Sequence, residues 1–265
     1  MDQALTIATS DSGGGAGVQA DLKSFAANNV YGTSIIVALT AQNTREVKSI
    51  YPLSKQFIQD QFDVIFSDFT INAVKIGMLY SASIIGVVVE NLLKYKAKNI
   101  VVDPVMLSKS GAKLLEDSAV YTLREELFKI ADLITPNIEE ATYLSGVKIQ
   151  SIDDMKKASK IIKNMGPRGV LIKGGHLEGE EAIDLLFYNN DFSFFKSQKI
   201  STKNTHGTGC TYSSAIAANL AKGKDIVNAV ESAKTYTFNA IKYAKDLYIG
   251  NGFGPLNHFY FLEHK

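Results

Sequence analysis

The sequence predicts an α/β protein in which a mostly parallel sheet is buried between two layers of helices. Short apolar runs alternate with longer helical patterns along the whole chain. The runs are apolar throughout, not at every second position, so both faces of each strand must be covered. No Pro/Gly/Ser-rich linker, charge block or fixed-period repeat divides the sequence, which reads as one domain over residues 1–265.

The elements follow in order. Residues 5–8 form a short buried strand. Residues 16–28 form a helix with Val18, Leu22, Phe25 and Ala26 near one face. Residues 34–39 are β-branched and apolar, a second strand. Helix 56–66, strand 73–76, helix 81–94 and strand 100–102 continue the alternation. A helix over 118–128 leads to a strand at 133–135. Helices over 138–144 and 152–165 precede a strand at 169–173. Residues 182–187 and 192–199 read as late antiparallel strands at one edge. Helices over 209–221 and 225–244 close the pattern.

Composition excludes several classes. A formal net charge of +1 gives no reason to expect nucleic acid or an anionic membrane as the main partner. A single cysteine rules out an internal disulfide framework and a multi-cysteine metal site, and fits a reducing compartment. No stretch approaches the roughly 18 apolar residues of a membrane span. Met1-Asp2-Gln3-Ala4 lacks the basic start of a signal peptide, so the expectation is cytoplasmic.

Ligands of such sheets bind beyond the carboxyl ends of the strands, and polar residues gather there. Ser10-Asp11-Ser12 and the small-residue run 13–17 follow the first strand. That run suits close backbone approach to a ligand, or a mere flexible turn. It lacks the Lys-Ser/Thr of a P-loop. Gln42 offers donors and an acceptor to a heteroaromatic edge, or is a surface amide. Met78 suits packing on a flat ring, or core filling. Asp103-Pro104 ends a strand where a carboxylate can hold a cation, and Lys109 follows in a lid-like Ser-Lys-Ser-Gly stretch. Asn137 and Glu140 read first as a helix cap and its dipole partner. Lys173-Gly174-Gly175 suits a phosphate tail, or is a solvated lysine.

The most informative stretch is Thr205-His206-Gly207-Thr208-Gly209-Cys210, a glycine turn feeding a helix of small residues. Such a turn aims backbone N–H groups and the helix dipole at one point, an anion site. At that N-terminus Cys210 is expected to have a lowered thiol pKa. The alternative is a small buried hydrophobe.

Together these segments closely resemble the hydroxymethylpyrimidine/phosphomethylpyrimidine kinases of thiamine biosynthesis, in the ribokinase-like superfamily. The resemblance runs from about Leu5 to His258. It is carried by residues 5–17, 19–23, 41–44, 75–78, 103–106, 134–137, 173–176 and 205–210 in order.

The resemblance implies a ribokinase-like three-layer α/β/α sandwich, a homodimer, and ATP with Mg2+ as donor. It implies phosphorylation of 4-amino-5-hydroxymethyl-2-methylpyrimidine to the monophosphate and then to the diphosphate. It makes Gly207, Thr208 and Gly209 the anion hole and Cys210 the base. Gln42, Asp21, Ala16 and Met78 become the pyrimidine pocket. Asn137, Lys173 and Asp103 handle the ATP phosphates, Glu140 and Asp103 the magnesium, and Lys109 the lid. Thr9 stands where the family has glycine, at the pocket wall.

A pyridoxal kinase on the same scaffold is the nearest alternative. That group tends to lack Gln at position 42, and its last turn often reads Gly-Ala-Gly-Cys. A hydrolase pairing Cys210 with His206 would need a matching geometry. A catalytically silent binding protein would keep the pocket without turnover.

Overall fold

A computed structural model describes residues 1–106, 117–175, 177 and 179–262. The first half runs β1 (Gln3–Asp11), α1 (Gly17–Ala27), β2 (Tyr31–Gln42), β3 (Val47–Pro52), α2 (Lys55–Asp68), β4 (Ala73–Ile76), α3 (Ala82–Lys94) and β5 (Ile100–Val102). Next come α4 (Asp117–Thr122), a π-helical turn (Leu123–Leu127), α5 (Phe128–Ile130), β6 (Leu133–Ile134), α6 (Ile138–Ser145) and α7 (Ile152–Lys163). The chain continues through β7 (Gly169–Ile172), β8 (Glu181–Tyr188), β9 (Asp191–Gln198), α8 (Thr208–Ala221) and α9 (Ile226–Lys242).

All nine strands share one sheet in the order β3-β2-β1-β4-β5-β6-β7-β8-β9. From β2 to β7 the neighbours are parallel. β3 is antiparallel at one edge, and β8 and β9 are antiparallel at the other. The chain leaves β1 towards β2 and returns to β4 on the opposite side of β1. That reversal is a topological switch point, where a ligand crevice opens at the strands' carboxyl ends.

Strand residues alternate between two cores. Leu5, Ile7, Val74, Ile76, Ile100 and Val102 pack with the apolar residues of α2, α3 and α7. Ala4, Ala73, Val101, Leu133 and Leu171 pack with α1, α8 and α9 on the other face. The result is the three-layer sandwich expected. α8 is buried along nearly its whole length, from Thr211 to Ala221. Its serines and alanines let it lie deep between α1, α9 and the sheet. No helix among the described residues is long and apolar enough to cross a membrane.

Two local expectations need correction. β3 was not expected, because Lys48, Ser49, Tyr51 and Pro52 are exposed and give no apolar pattern. It forms because β2 runs on to Gln42 and offers an edge, where a proline can end the pairing. The helix expected over 118–128 is interrupted by the π turn.

His258 is 3% exposed and hydrogen-bonds through Nε2 to Thr211 Oγ1 on α8, at 3.0 Å. Burial pushes its imidazole from 6.5 down to about 4. Between those values the unfolded chain binds a proton that the folded chain refuses. Stability is therefore full above about pH 6.5 and falls towards pH 4, by up to about 3 kcal/mol. Urea titrations across this window are expected to show that loss, and a His258→Gln variant is expected to lack this part of it.

Candidate active site

A cavity of about 880 Å3 opens at the carboxyl ends of the central strands. Its floor is the start of α8. Gly207 caps that helix with φ 81°, a left-handed conformation that favours glycine. A Cβ there would stand 1.8 Å from the Gly15 carbonyl oxygen, so only glycine permits this approach. No side chain caps α8. Its first turn, with Thr208, Gly209 and Cys210, lines the cavity and brings N–H groups and the positive end of the dipole to it.

One wall is the loop after β1, held by Asp11. Its carboxylate accepts the N–H groups of Gly13 at 2.8 Å, Gly15 at 3.1 Å and Ala16 at 2.9 Å. His206 Nε2 lies 2.8 Å from the same carboxylate. Burial pushes the Asp11 carboxyl up, but the His206 hydrogen bond and the backbone N–H groups outweigh it, and the net direction is down. Gln42 Nε2 lies 3.4 Å from His206 Nε2. One ring nitrogen cannot both donate to Asp11 and accept from Gln42. The shorter bond to the carboxylate takes the proton, which leaves the Gln42 amide with donors to offer a ligand.

Ala16, Gln42, Met78 and Thr9 all line the cavity. The Thr9 hydroxyl donates to the Met78 carbonyl at 3.1 Å, so it braces the wall. Asp21 does not line the cavity and corrects an expectation. It is fully buried behind the wall, where it takes the Lys75 ammonium at 2.8 Å and the hydroxyls of Thr6 and Ser214. Its side chain points from α1 towards α8 and the sheet, away from the opening.

The opposite wall carries charge. Lys173 Nζ is 2.7 Å from Asp103 Oδ1, which also accepts from Thr135 Oγ1 at 3.2 Å. A Cβ on Gly209 would lie 3.1 Å from Asp103 Oδ2 and 3.2 Å from Lys173 Nζ, so this pair borders the α8 turn. Asn137 and Glu140 form a capping box. Asn137 Oδ1 accepts from the Glu140 N–H, and Glu140 Oε2 accepts from the Asn137 N–H, both at 2.8 Å. Burial, opposed by Lys173 and aided by Asp103, holds the Glu140 carboxyl up at about 7. Among the described residues no group of three or more His, Cys, Asp or Glu forms a metal cage. Lys109 lies outside the described residues.

The thiol departs most from expectation. Burial pushes Cys210 up to about 11. Lys75 and the Gly17 N–H pull it down, while Asp21 and Asp103 push it up. Desolvation outweighs the helix dipole, so the lowered pKa is not found. His206 Nε2 is taken by Asp11, and no hydrogen bond joins His206 to Cys210 among the described residues. The hydrolase pairing therefore lacks its geometry.

Residues 11–257 match the sequence model of the family described as phosphomethylpyrimidine kinase. The chain belongs to the phosphomethylpyrimidine kinase family. The chloroplastic thiamine biosynthetic bifunctional enzyme of Arabidopsis thaliana is 48% identical over 99% of this chain. The chain spans 51% of that enzyme, about half its length. A crystal structure of phosphomethylpyrimidine kinase from Clostridium difficile 630 is 48% identical, with a TM-score of 0.81 over 91% of this chain and 100% of that one. The ADP complex of Bacillus subtilis pyridoxal kinase is 37% identical, with a TM-score of 0.91 over 100% of both chains.

Two features of the site were not singled out from the sequence. Asp11 and His206 tie its two loops together, and the usable signal was an Asp-x-Gly turn, in which a carboxylate binds N–H groups just ahead of it. Lys75 was hidden inside an apolar strand. Gly207→Ala is expected to cost about 2 kcal/mol or more, because φ and space both forbid the methyl group. Gly86→Ala, whose Cβ would meet nothing within 4 Å, is expected to be neutral or mildly stabilising in the same denaturant titration.

Proposed function

We propose that this protein transfers the γ-phosphoryl group of ATP to 4-amino-5-hydroxymethyl-2-methylpyrimidine, and then a second phosphoryl group to the resulting monophosphate. The observation that carries the reading is the uncapped first turn of α8. It lies between a wall with ring-reading groups and a wall with phosphate-handling charge. Family membership supplies the substrate class, and the ADP complex of the pyridoxal kinase supports a nucleotide donor.

In this reading Gln42 pairs with the pyrimidine edge, and Met78, Ala16 and Thr9 pack around the ring. Cys210, as thiolate, takes the proton of the 5-hydroxymethyl group. The freed oxygen bonds to the γ-phosphorus as the bond to the β–γ bridging oxygen breaks, and ADP leaves. The turn of Gly207, Thr208 and Gly209 faces the transferring group, the Thr208 N–H turning to it from the Thr205 carbonyl that it meets at 3.3 Å, and the transition state gains more from such positioning than from the base. Lys173 and Asn137 bind the nucleotide phosphates beside Asp103.

Magnesium fits this wall without a protein cage, since Mg2+ uses one or two carboxylates plus phosphates and water. Asp103 and Glu140 would hold it. When bound it neutralises phosphate charge. The reading extends to one domain working as a homodimer, as the resemblance implies, and to the reducing, cytoplasmic compartment that a single cysteine fits.

Mass-resolved product analysis with Mg-ATP and hydroxymethylpyrimidine, its monophosphate or pyridoxal tests the proposal. Diphosphate from both pyrimidines is expected. Product from pyridoxal alone would replace the pyrimidine by the vitamin B6 ring. Cys210→Ala is expected to lower kcat by about 10²- to 10⁴-fold, the range of a general base, with nucleotide affinity within about threefold by calorimetry. Unchanged turnover would remove the base assignment.

A further inference from the structure

Behind the cavity floor lies a buried ion pair that phosphoryl transfer, as described, does not use. Lys75 belongs to β4 and is fully buried, with Nζ 2.8 Å from both carboxylate oxygens of Asp21 on α1. Asp21 also takes hydroxyl bonds from Thr6 at 2.6 Å and Ser214 at 2.7 Å. Ser214 follows Cys210 by four residues on α8, so the two share a helix face. Lys75 lines the cavity together with Cys210, whereas Asp21 does not. The ammonium end of the pair therefore borders the cavity that the thiol also borders, and the carboxylate lies behind it. A Cβ on Gly77 would lie 2.8 Å from Lys75 Nζ, which sets the ammonium against the turn leading to Met78.

A buried ion pair is a weak source of stability, because desolvation consumes most of the attraction. Its retention beside a reactive group points to an electrostatic role. We propose that Lys75 is a positioning residue for Cys210. Its fixed ammonium favours the thiolate, and Asp21 keeps that ammonium charged and in place. The inference rests on the reading of Cys210 as the base.

Four charged groups act on the sulfur. They are Lys75 from β4, Asp21 from α1, Asp103 beyond β5 and Lys173 beyond β7, and the Gly17 N–H joins them. Burial is the largest influence on the thiol and raises it, and Lys75 is foremost among those that oppose it. Burial works against the charge on Lys75, but Asp21, Cys210 and Asp103 together outweigh it and hold that pKa above its ordinary value. The ammonium is therefore charged at neutral pH.

Cys210 is the only cysteine in the chain, so iodoacetamide alkylation reads this thiol alone and needs no substrate. Lys75→Met combined with Asp21→Asn removes both charges without stranding either. Asp21 itself pushes the thiol up, so its removal gives back part of the loss, and alkylation at pH 9 is expected to slow about threefold or more, about half a pKa unit, with the rate–pH curve displaced to higher pH. Lys75→Met alone is expected to act in the same direction and more strongly, by at least about tenfold, and it decides the matter if the double variant does not fold. Loosened packing would expose the sulfur and speed alkylation, so slowing is not a sign of damage. Rates within about twofold of the unmodified protein, in a variant that still melts cooperatively, would overturn the proposal. The product assay is independent. Pyrimidine phosphates formed by a protein whose thiol ignores Lys75 would keep the kinase and remove Lys75 from it. A displaced thiol titration without product would keep the electrostatic coupling and remove the base role of Cys210.

Discussion

The binding face depends on how closely the loop after β1 approaches the start of α8. The Gly15 carbonyl oxygen occupies the place where any side chain at position 207 would begin. Asp11 secures the approach from below by gathering three backbone N–H groups and the ring of His206. A carboxylate satisfied this fully in a buried setting is strongly bound to its geometry. The wall that carries Gln42 and the first turn of α8 are thus tied together, although they come from opposite ends of the chain. In the proposed reading, any widening of that approach would move the Cys210 sulfur relative to Gln42 and misalign acceptor with donor.

The other wall works by balance of charge. Lys173 stands with Asp103 against it and Glu140 nearby, and burial pushes the glutamate carboxyl well above its ordinary pKa. In the proposed reading, a nucleotide phosphate entering here competes with a carboxylate for the same ammonium. That competition would temper affinity and make the wall responsive to any cation that the nucleotide brings. The capping box adds a mechanical link. Asn137 sits at once at the start of α6 and beside Lys173, so the helix and the β7 end share one anchor.

The central strands were legible because burial on both faces leaves unbroken apolar runs, as at residues 100–102 and 170–172. β3 was not, because an exposed edge strand owes its existence to its neighbour rather than to its own pattern. Most candidate residues were found because glycines and polar groups cluster where strands end. Asp21 was misplaced because its position on α1 next to a glycine loop says nothing about which way its side chain turns. The state of Cys210 was misjudged for a related reason. A helix N-terminus is visible in a sequence, but the desolvation that overrides it depends on what α1 and the sheet place around the sulfur.

The contacts that complete this site are among the longest in the chain. Asp11 meets His206 across 195 positions, and Asp21 meets Ser214 across 193. During synthesis, all nine described strands are made before α8. Until α8 and α9 arrive, the sheet face bearing Ala73, Val101, Leu133 and Leu171 lacks most of its cover. The nascent chain is then at its most adhesive and has no finished pocket whose ligand could steady it. The same late segment that completes the pocket also ends that vulnerable interval, so ligand competence and protection from aggregation are acquired in one step.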